Sequence, residues 1–163
     1  MISDQDRAII EEQLGRPIRG ALDVAHRCGC GKPDVVLTAP RLEDGTPFPT
    51  VYYLTCPKAT GAIGTLEADG KMRELQTLLE TDEELASHYQ QAHEQYLATR
   101  EALGNVPEIS GISAGGMPDR VKCLHVLVAH SLACGPGVNP IGDMVLELVE
   151  PWDNSGPCLE CPA

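Results

Sequence analysis

The sequence predicts an α+β fold: a small three-stranded β-sheet followed by a helical bundle around one buried helix. Three observations predict it. β-Branched segments punctuated by glycine and proline fill the N-terminal third. Helical periodicity takes over after Cys56-Pro57. One stretch near the end, Val121–Leu132, is apolar nearly all round, as a central helix must be. The chain has 163 residues, the size of one domain. Residues 1–150 read as a single α+β domain and residues 151–163 as a flexible, cysteine-containing tail.

Each element has a local reason. Ser3 is placed to cap a helix over Asp4–Leu14, with Asp4 and Asp6 at the positive end of its dipole. Gly15, Pro17 and Gly20 end it. Leu22–Arg27 and Val35–Thr38 read as strands joined by the tight connection Cys28-Gly29-Cys30-Gly31-Lys32-Pro33. Thr50–Thr55 (TVYYLT) is a third strand. Helices follow over Lys58–Asp69 and Lys71–Thr81, broken by Gly70. Asp82–Leu103 is amphipathic, with Leu85, Tyr89, Ala92 and Tyr96 on one side. Gly104–Gly116 reads as a loop. Pro118 suits the first position of a buried helix over Pro118–Ala133. Asn139-Pro140 opens a last helix to about Glu150.

Charge narrows the functions. Asp and Glu number 24 against 12 Lys and Arg, a net charge of −12. That balance argues against a nucleic-acid backbone or an anionic membrane surface as partner. No apolar run approaches the roughly 18 residues of a membrane span. The acidic N-terminus does not read as a signal peptide. With seven cysteines, the expectation is a reducing, cytoplasmic setting, where clustered thiols serve as metal ligands or catalysts more often than as disulfides.

The cysteines stand at element ends: Cys28 and Cys30 after the first strand, Cys56 after the third, Cys123 early in the buried helix. Segments converge at such places. We expect a metal site of Cys28, Cys56 and Cys123 that joins the sheet to the central helix. His130 is the first candidate for fourth ligand, then His125, then Cys30. On a helical wheel of 100° per residue, His130 shares the stripe of Cys123, whereas His125 lies about 200° away. Three thiolates with an open position suit zinc or, as an alternative, a [4Fe–4S] cluster. Cys158 and Cys161 form a CxxC in the tail and, with Cys28 and Cys30, offer an alternative Cys₄ set. The HExxH pattern, a Walker A loop and a GxSxG elbow are absent. Ser113–Arg120 is a glycine-rich lead into the expected helix start. Gly115 and Gly116, with Arg120 and Lys122, could there hold a small anionic ligand.

TPFPTVYYLTCP (Thr46–Pro57) and SAGGMPDRVKCLHVLVAHSLACGPGVNPIGD (Ser113–Asp143) resemble the signature blocks of the bacterial "domain of unknown function 501" family. LEADGKM (Leu66–Met72) and AHEQY (Ala92–Tyr96) match it as well. Cys28, Cys56, Cys123, His125 and His130 fall in its motif segments, and Cys30, Cys134, Cys158 and Cys161 look like additions of this chain. The resemblance implies no activity. It implies a cytoplasmic housekeeping role, since such proteins are encoded beside a septum-formation initiator and an exopolyphosphatase-like enzyme. The functional expectation is therefore a metal-binding protein. One alternative is an enzyme with a metal- or thiolate-centred site beside the glycine loop. The other is an adaptor that offers Asp82–Leu103 to a division or cell-envelope partner.

Overall fold

Helix α1 (Asp4–Leu14) begins where Ser3 Oγ accepts the Asp6 N–H at 3.1 Å, and it ends at Gly15 in the left-handed conformation. A serine cap of this kind is worth about 1 kcal/mol. The computed structural model describes residues 1–149, 151 and 152. After α1 it forms one antiparallel sheet from β1 (Ala21–Arg27), β2 (Pro33–Thr38) and β3 (Tyr52–Leu54), in the order β1-β2-β3. The register of β1 against β2 slips three times: between Ala21 and Asp23, Val24 and His26, and His26 and Arg27. The central strand reads PDVVLT and is buried on both faces because each face is covered. Val36 meets Ile2, Ile10 and Ile18 beneath α1, while Val35 belongs to the main core on the other side. The third strand is shorter than the predicted Thr50–Thr55. Val51 and Thr50 are tied to Thr38 outside the regular ladder, the Val51 carbonyl accepting the Thr38 N–H at 2.8 Å.

Helices α2 (Pro57–Ala68) and α3 (Lys71–Thr81) are joined through Gly70, whose φ of 83° only glycine adopts without strain. Asp82 caps α4 (Glu83–Leu103) by accepting the Leu85 N–H at 3.0 Å. Helix α4 turns Tyr89, Ala92, His93, Tyr96 and Arg100 inward. Tyr89, Ala92 and Tyr96 of that face belong to the main core. Arg100 is 3 % exposed and donates to the carbonyls of Pro49, Ile109 and Ile112, which pins down the stretch around a 3₁₀ turn at Pro107–Ile109.

The buried helix is α5 (Leu124–Cys134), which lies against β3, α2 and α6 (Pro140–Leu148). It starts six residues later than the predicted Pro118–Ala133. The chain folds back at Gly116 (φ 95°). The Arg120 N–H bonds the Gly116 carbonyl at 2.9 Å, and the N–H groups of Lys122 and Cys123 both reach the Gly115 carbonyl. Lys122 and Cys123 are thereby diverted from the Pro118 and Asp119 carbonyls, which a helix begun at Pro118 would require. Helix α6 opens at Asn139, whose side chain accepts the Gly142 N–H at 2.9 Å. It approaches α5 so closely that a Cβ on Gly142 would collide with the Leu127 carbonyl and the Ser131 hydroxyl. Trp152 packs against the main core. The expected flexible tail, with Cys158 and Cys161, otherwise lies outside the described residues. Among the described residues no helix is long and apolar enough to cross a membrane.

Candidate metal centre

The expected ligand set of Cys28, Cys56, Cys123 and His130 does not assemble, and the reasons are local. Cys28 lies beside Cys30 in the β1–β2 turn, with their Cα atoms 5.4 Å apart, and its sulfur faces that of Cys30. Cys56 is buried at the N-cap of α2. His130 is fully buried and has both ring nitrogens engaged, Nε2 with Gln95 Oε1 at 2.6 Å and Nδ1 with Asn139 Nδ2 at 3.1 Å. The amide N–H of Asn139 donates to Nδ1, so Nε2 carries the proton given to Gln95. The ring stacks on Tyr52 and meets Tyr96 edge-on, and burial pushes its pKa down to about 4. This is a neutral core histidine.

A different group converges. Among the described residues, Glu67, Cys123 and His125 place one ligand atom each within 4.8 Å of one another. Glu67 comes from the last turn of α2; the other two come from the start of α5. The helical wheel separates Cys123 from His125, but Cys123 is not helical. It is the N-cap of α5, extended at φ −149° and ψ 109°, and extended backbone brings alternate side chains to one side. The late start of α5 is therefore what creates the pair.

The imidazole is oriented by its surroundings. His125 Nε2 lies 3.1 Å from the Thr60 carbonyl. A carbonyl only accepts, so Nε2 carries the proton, and Nδ1 faces Glu67 Oε1 at 2.5 Å. That oxygen is cut off from solvent, and the His125 contact is the ion pair it makes. Two atoms that both bear lone pairs cannot lie so close without a proton between them, so this contact is an imidazolium–carboxylate pair. The His125 pKa is raised to about 9, first by the hydrogen bond with Cys123, then by the Thr60 carbonyl and the Glu67 charge, against the effect of burial. Burial raises the Cys123 thiol pKa, but the hydrogen bonds from His125 and the Val126 N–H outweigh it and leave it lowered. A thiolate at the start of a helix also meets the positive end of the dipole.

Beside Cys123 and His125 lies a pocket of about 220 Å³, walled by Thr50, Tyr52, Tyr53, Leu54, Thr60 and Val126. Its size admits water or a very small ligand.

The expected anion-binding set divides. Gly115 and Gly116 serve the turn: a Cβ on Gly115 would come within 2.9 Å of Leu127 Cδ2, and one on Gly116 within 2.7 Å of the Arg120 carbonyl oxygen. Arg120 and Lys122 line an outer groove and leave the glycines behind.

Cys123 belongs to both the expected and the observed groups. His125 was the second candidate for fourth ligand. Glu67 was missed: one carboxylate among so many carries no spacing signal. Its only mark is its position in LEADGKM, one of the stretches that carry the family resemblance.

A family model described as protein of unknown function (DUF501) matches residues 24–147, which include all three members of the group. No curated protein and no solved structure matches the chain.

Proposed function

Because the chain belongs to the DUF501 family, whose description assigns no activity, we propose a function from the site alone: Glu67, Cys123 and His125 hold a divalent metal ion. The observation that carries this is the convergence of one carboxylate oxygen, one sulfur and one imidazole nitrogen within 4.8 Å of one another; a metal ion would take the place of the proton that Glu67 Oε1 and His125 Nδ1 share. Nε2–H bonded to a backbone carbonyl is the outer-sphere support typical of a metal-ligating histidine. One sulfur, one nitrogen and one oxygen suit zinc. An iron–sulfur cluster is held by several cysteine thiolates, and this group has one. Three protein ligands leave a coordination position for water or substrate, as in catalytic zinc sites, and a structural site would be closed. The adjoining pocket supports that reading. The metal ion, when bound, would supply Lewis acidity or an activated water there.

Elemental analysis of protein purified without chelator tests the proposal, together with the absorption spectrum of a cobalt-loaded form. We expect about one zinc per chain, sharply reduced in Glu67→Gln and Cys123→Ser. The cobalt form should show a thiolate charge-transfer band that Cys123→Ser removes. Absence of metal and of that band overturns the proposal, and so does iron with sulfide.

A second reading rests on the 2.5 Å contact itself, whose length is that of a proton shared between Nδ1 and Oε1. Cys123, His125 and Glu67 would then form a nucleophile, base and orienting carboxylate. It predicts that Cys123 in the metal-free protein is alkylated faster than the other thiols below neutral pH, and that His125→Ala abolishes the difference.

A further inference from the structure

In a chain with twice as many acidic as basic residues, several cations gathered in one groove without a carboxylate partner call for an explanation. Arg19, Arg27, Arg41 and Lys71 are ion-paired. Arg16 and Arg100 donate to oxygen atoms of the chain. Among the described residues, the side chains of Arg7, Arg73, Arg120 and Lys122 make no ion pair or hydrogen bond. Three of these four line one groove of about 790 Å³ between α3 and residues 119–122. Glu80 and Asp119 share that groove, yet neither lies within ion-pairing distance of the cations.

The groove is held rigidly. Gln76 Oε1 accepts the Val121 N–H at 2.8 Å, while Gln76 Nε2 donates to the Asp119 carbonyl at 3.2 Å and to Glu80. The Tyr89 hydroxyl donates to the Arg120 carbonyl at 2.8 Å. The Arg120 and Lys122 N–H groups are bound to the Gly116 and Gly115 carbonyls. The backbone that presents two of the cations is thus fixed to α3, which presents the third. Binding would not have to order it.

We infer that this groove binds a phosphate-bearing, hydroxyl-rich small molecule of the sugar-phosphate class. Arg73, Arg120 and Lys122 would receive the phosphate, and guanidinium groups match its oxygens in bidentate fashion. Glu80 and Asp119 would accept hydrogen bonds from hydroxyl groups, which explains acidic side chains in a site for an anion. The volume lies in the range of small-molecule sites. The strong net negative charge of the chain disfavours a long polyanion, whose distal charges would meet acidic surface within a Debye length of ~8 Å. The groove shares no lining residue with the pocket beside Cys123, so the inference stands or falls apart from the metal.

Calorimetric titration of the full chain with ribose 5-phosphate, inorganic phosphate and ribose tests it, in parallel with and without added zinc. Ribose 5-phosphate should bind saturably in both conditions, at least tenfold tighter than phosphate, and ribose should not bind. Arg73→Gln, Arg120→Gln and Lys122→Gln should each weaken it roughly tenfold. Arg7→Gln, which removes an unpaired cation elsewhere, should leave it unchanged. All four positions are exposed or half-buried, and unchanged melting curves will confirm that the variants fold. Lack of saturable binding, equal binding of inorganic phosphate, or equal weakening by Arg7→Gln overturns the inference. Loss of zinc binding with retained sugar-phosphate binding would overturn the metal proposal alone.

Discussion

His130 makes the fold acid-sensitive in a way that one substitution isolates. Its ring is buried among Tyr52, Tyr96, Gln95 and Asn139, and burial holds its pKa near about 4, with Asp143 pulling weakly the other way. In the unfolded chain it returns to about 6.5. A depressed folded pKa means that stability is intact above about pH 6.5 and is lost as pH falls toward 4. The full shift corresponds to roughly 3 kcal/mol, at about 1.4 kcal/mol per unit. Between pH 7 and pH 5 the loss is roughly 2 kcal/mol, because the unfolded state takes up a proton that the folded state refuses. The assay is urea unfolding of metal-free protein at intervals across that range, for wild type and for His130→Gln. The variant loses stability through altered hydrogen bonds, but that cost does not vary with pH. His125 runs in the opposite sense: raised to about 9, it contributes fully below about pH 6.5 and fades as pH rises. His93, whose pKa is lowered by burial, adds to the acid sensitivity. Both are present in the two proteins and cancel in the difference. Parallel stability curves for the two proteins would refute the reasoning, because His130 would then titrate alike in the folded and unfolded chains.

Three further outcomes follow from the packing and the site. Gly142→Ala, whose Cβ would meet the Leu127 carbonyl and Ser131, should cost about 2–3 kcal/mol and lower the Tm by roughly 5–10 °C in a calorimetric scan. Arg100→Met should leave the part-buried carbonyls of Pro49, Ile109 and Ile112 without their donor; a loss of about 1–3 kcal/mol is expected in denaturant, with faster proteolytic cutting between residues 104 and 113. Zinc at a hundredfold excess over its dissociation constant should stabilise the wild type by about 2.7 kcal/mol, and Glu67→Gln should show little of that gain in the same thermal assay.

The sheet and most helices were legible because their signals are local. Ser3, Asp82 and Asn139 are caps with a direct hydrogen-bonding reason, and TVYYLT announces a strand by composition. The start of α5 was not legible in the same way. Pro118 is a sound helix opener by propensity, but the Gly115 carbonyl claims the Lys122 and Cys123 N–H groups that a helix there would direct to Pro118 and Asp119. The misplaced start carried into the site. With Cys123 drawn inside a helix, His130 falls on its stripe and His125 falls opposite; with Cys123 at the cap, the reverse holds. The choice of Cys28 failed for another reason. The nearest thiol in space is its neighbour on the same turn, Cys30, and spacing alone does not say which pairs will form. Glu67 depends on how α2 docks against α5, a long-range packing outcome that no local pattern encodes.

The broken register of β1 has a consequence for how the protein behaves in a crowded solution. β1 is an outer strand of its sheet and pairs on one side with a valine-rich, largely buried neighbour. A straight outer strand would present evenly spaced donors and acceptors, a template on which another chain could polymerise. Three slips within seven residues leave no such repeat. Successive amides along that border point at uneven intervals, so an incoming strand finds a bond or two and then loses step. The irregularity that looks like a flaw in the hairpin therefore acts as a guard against fibrous self-association.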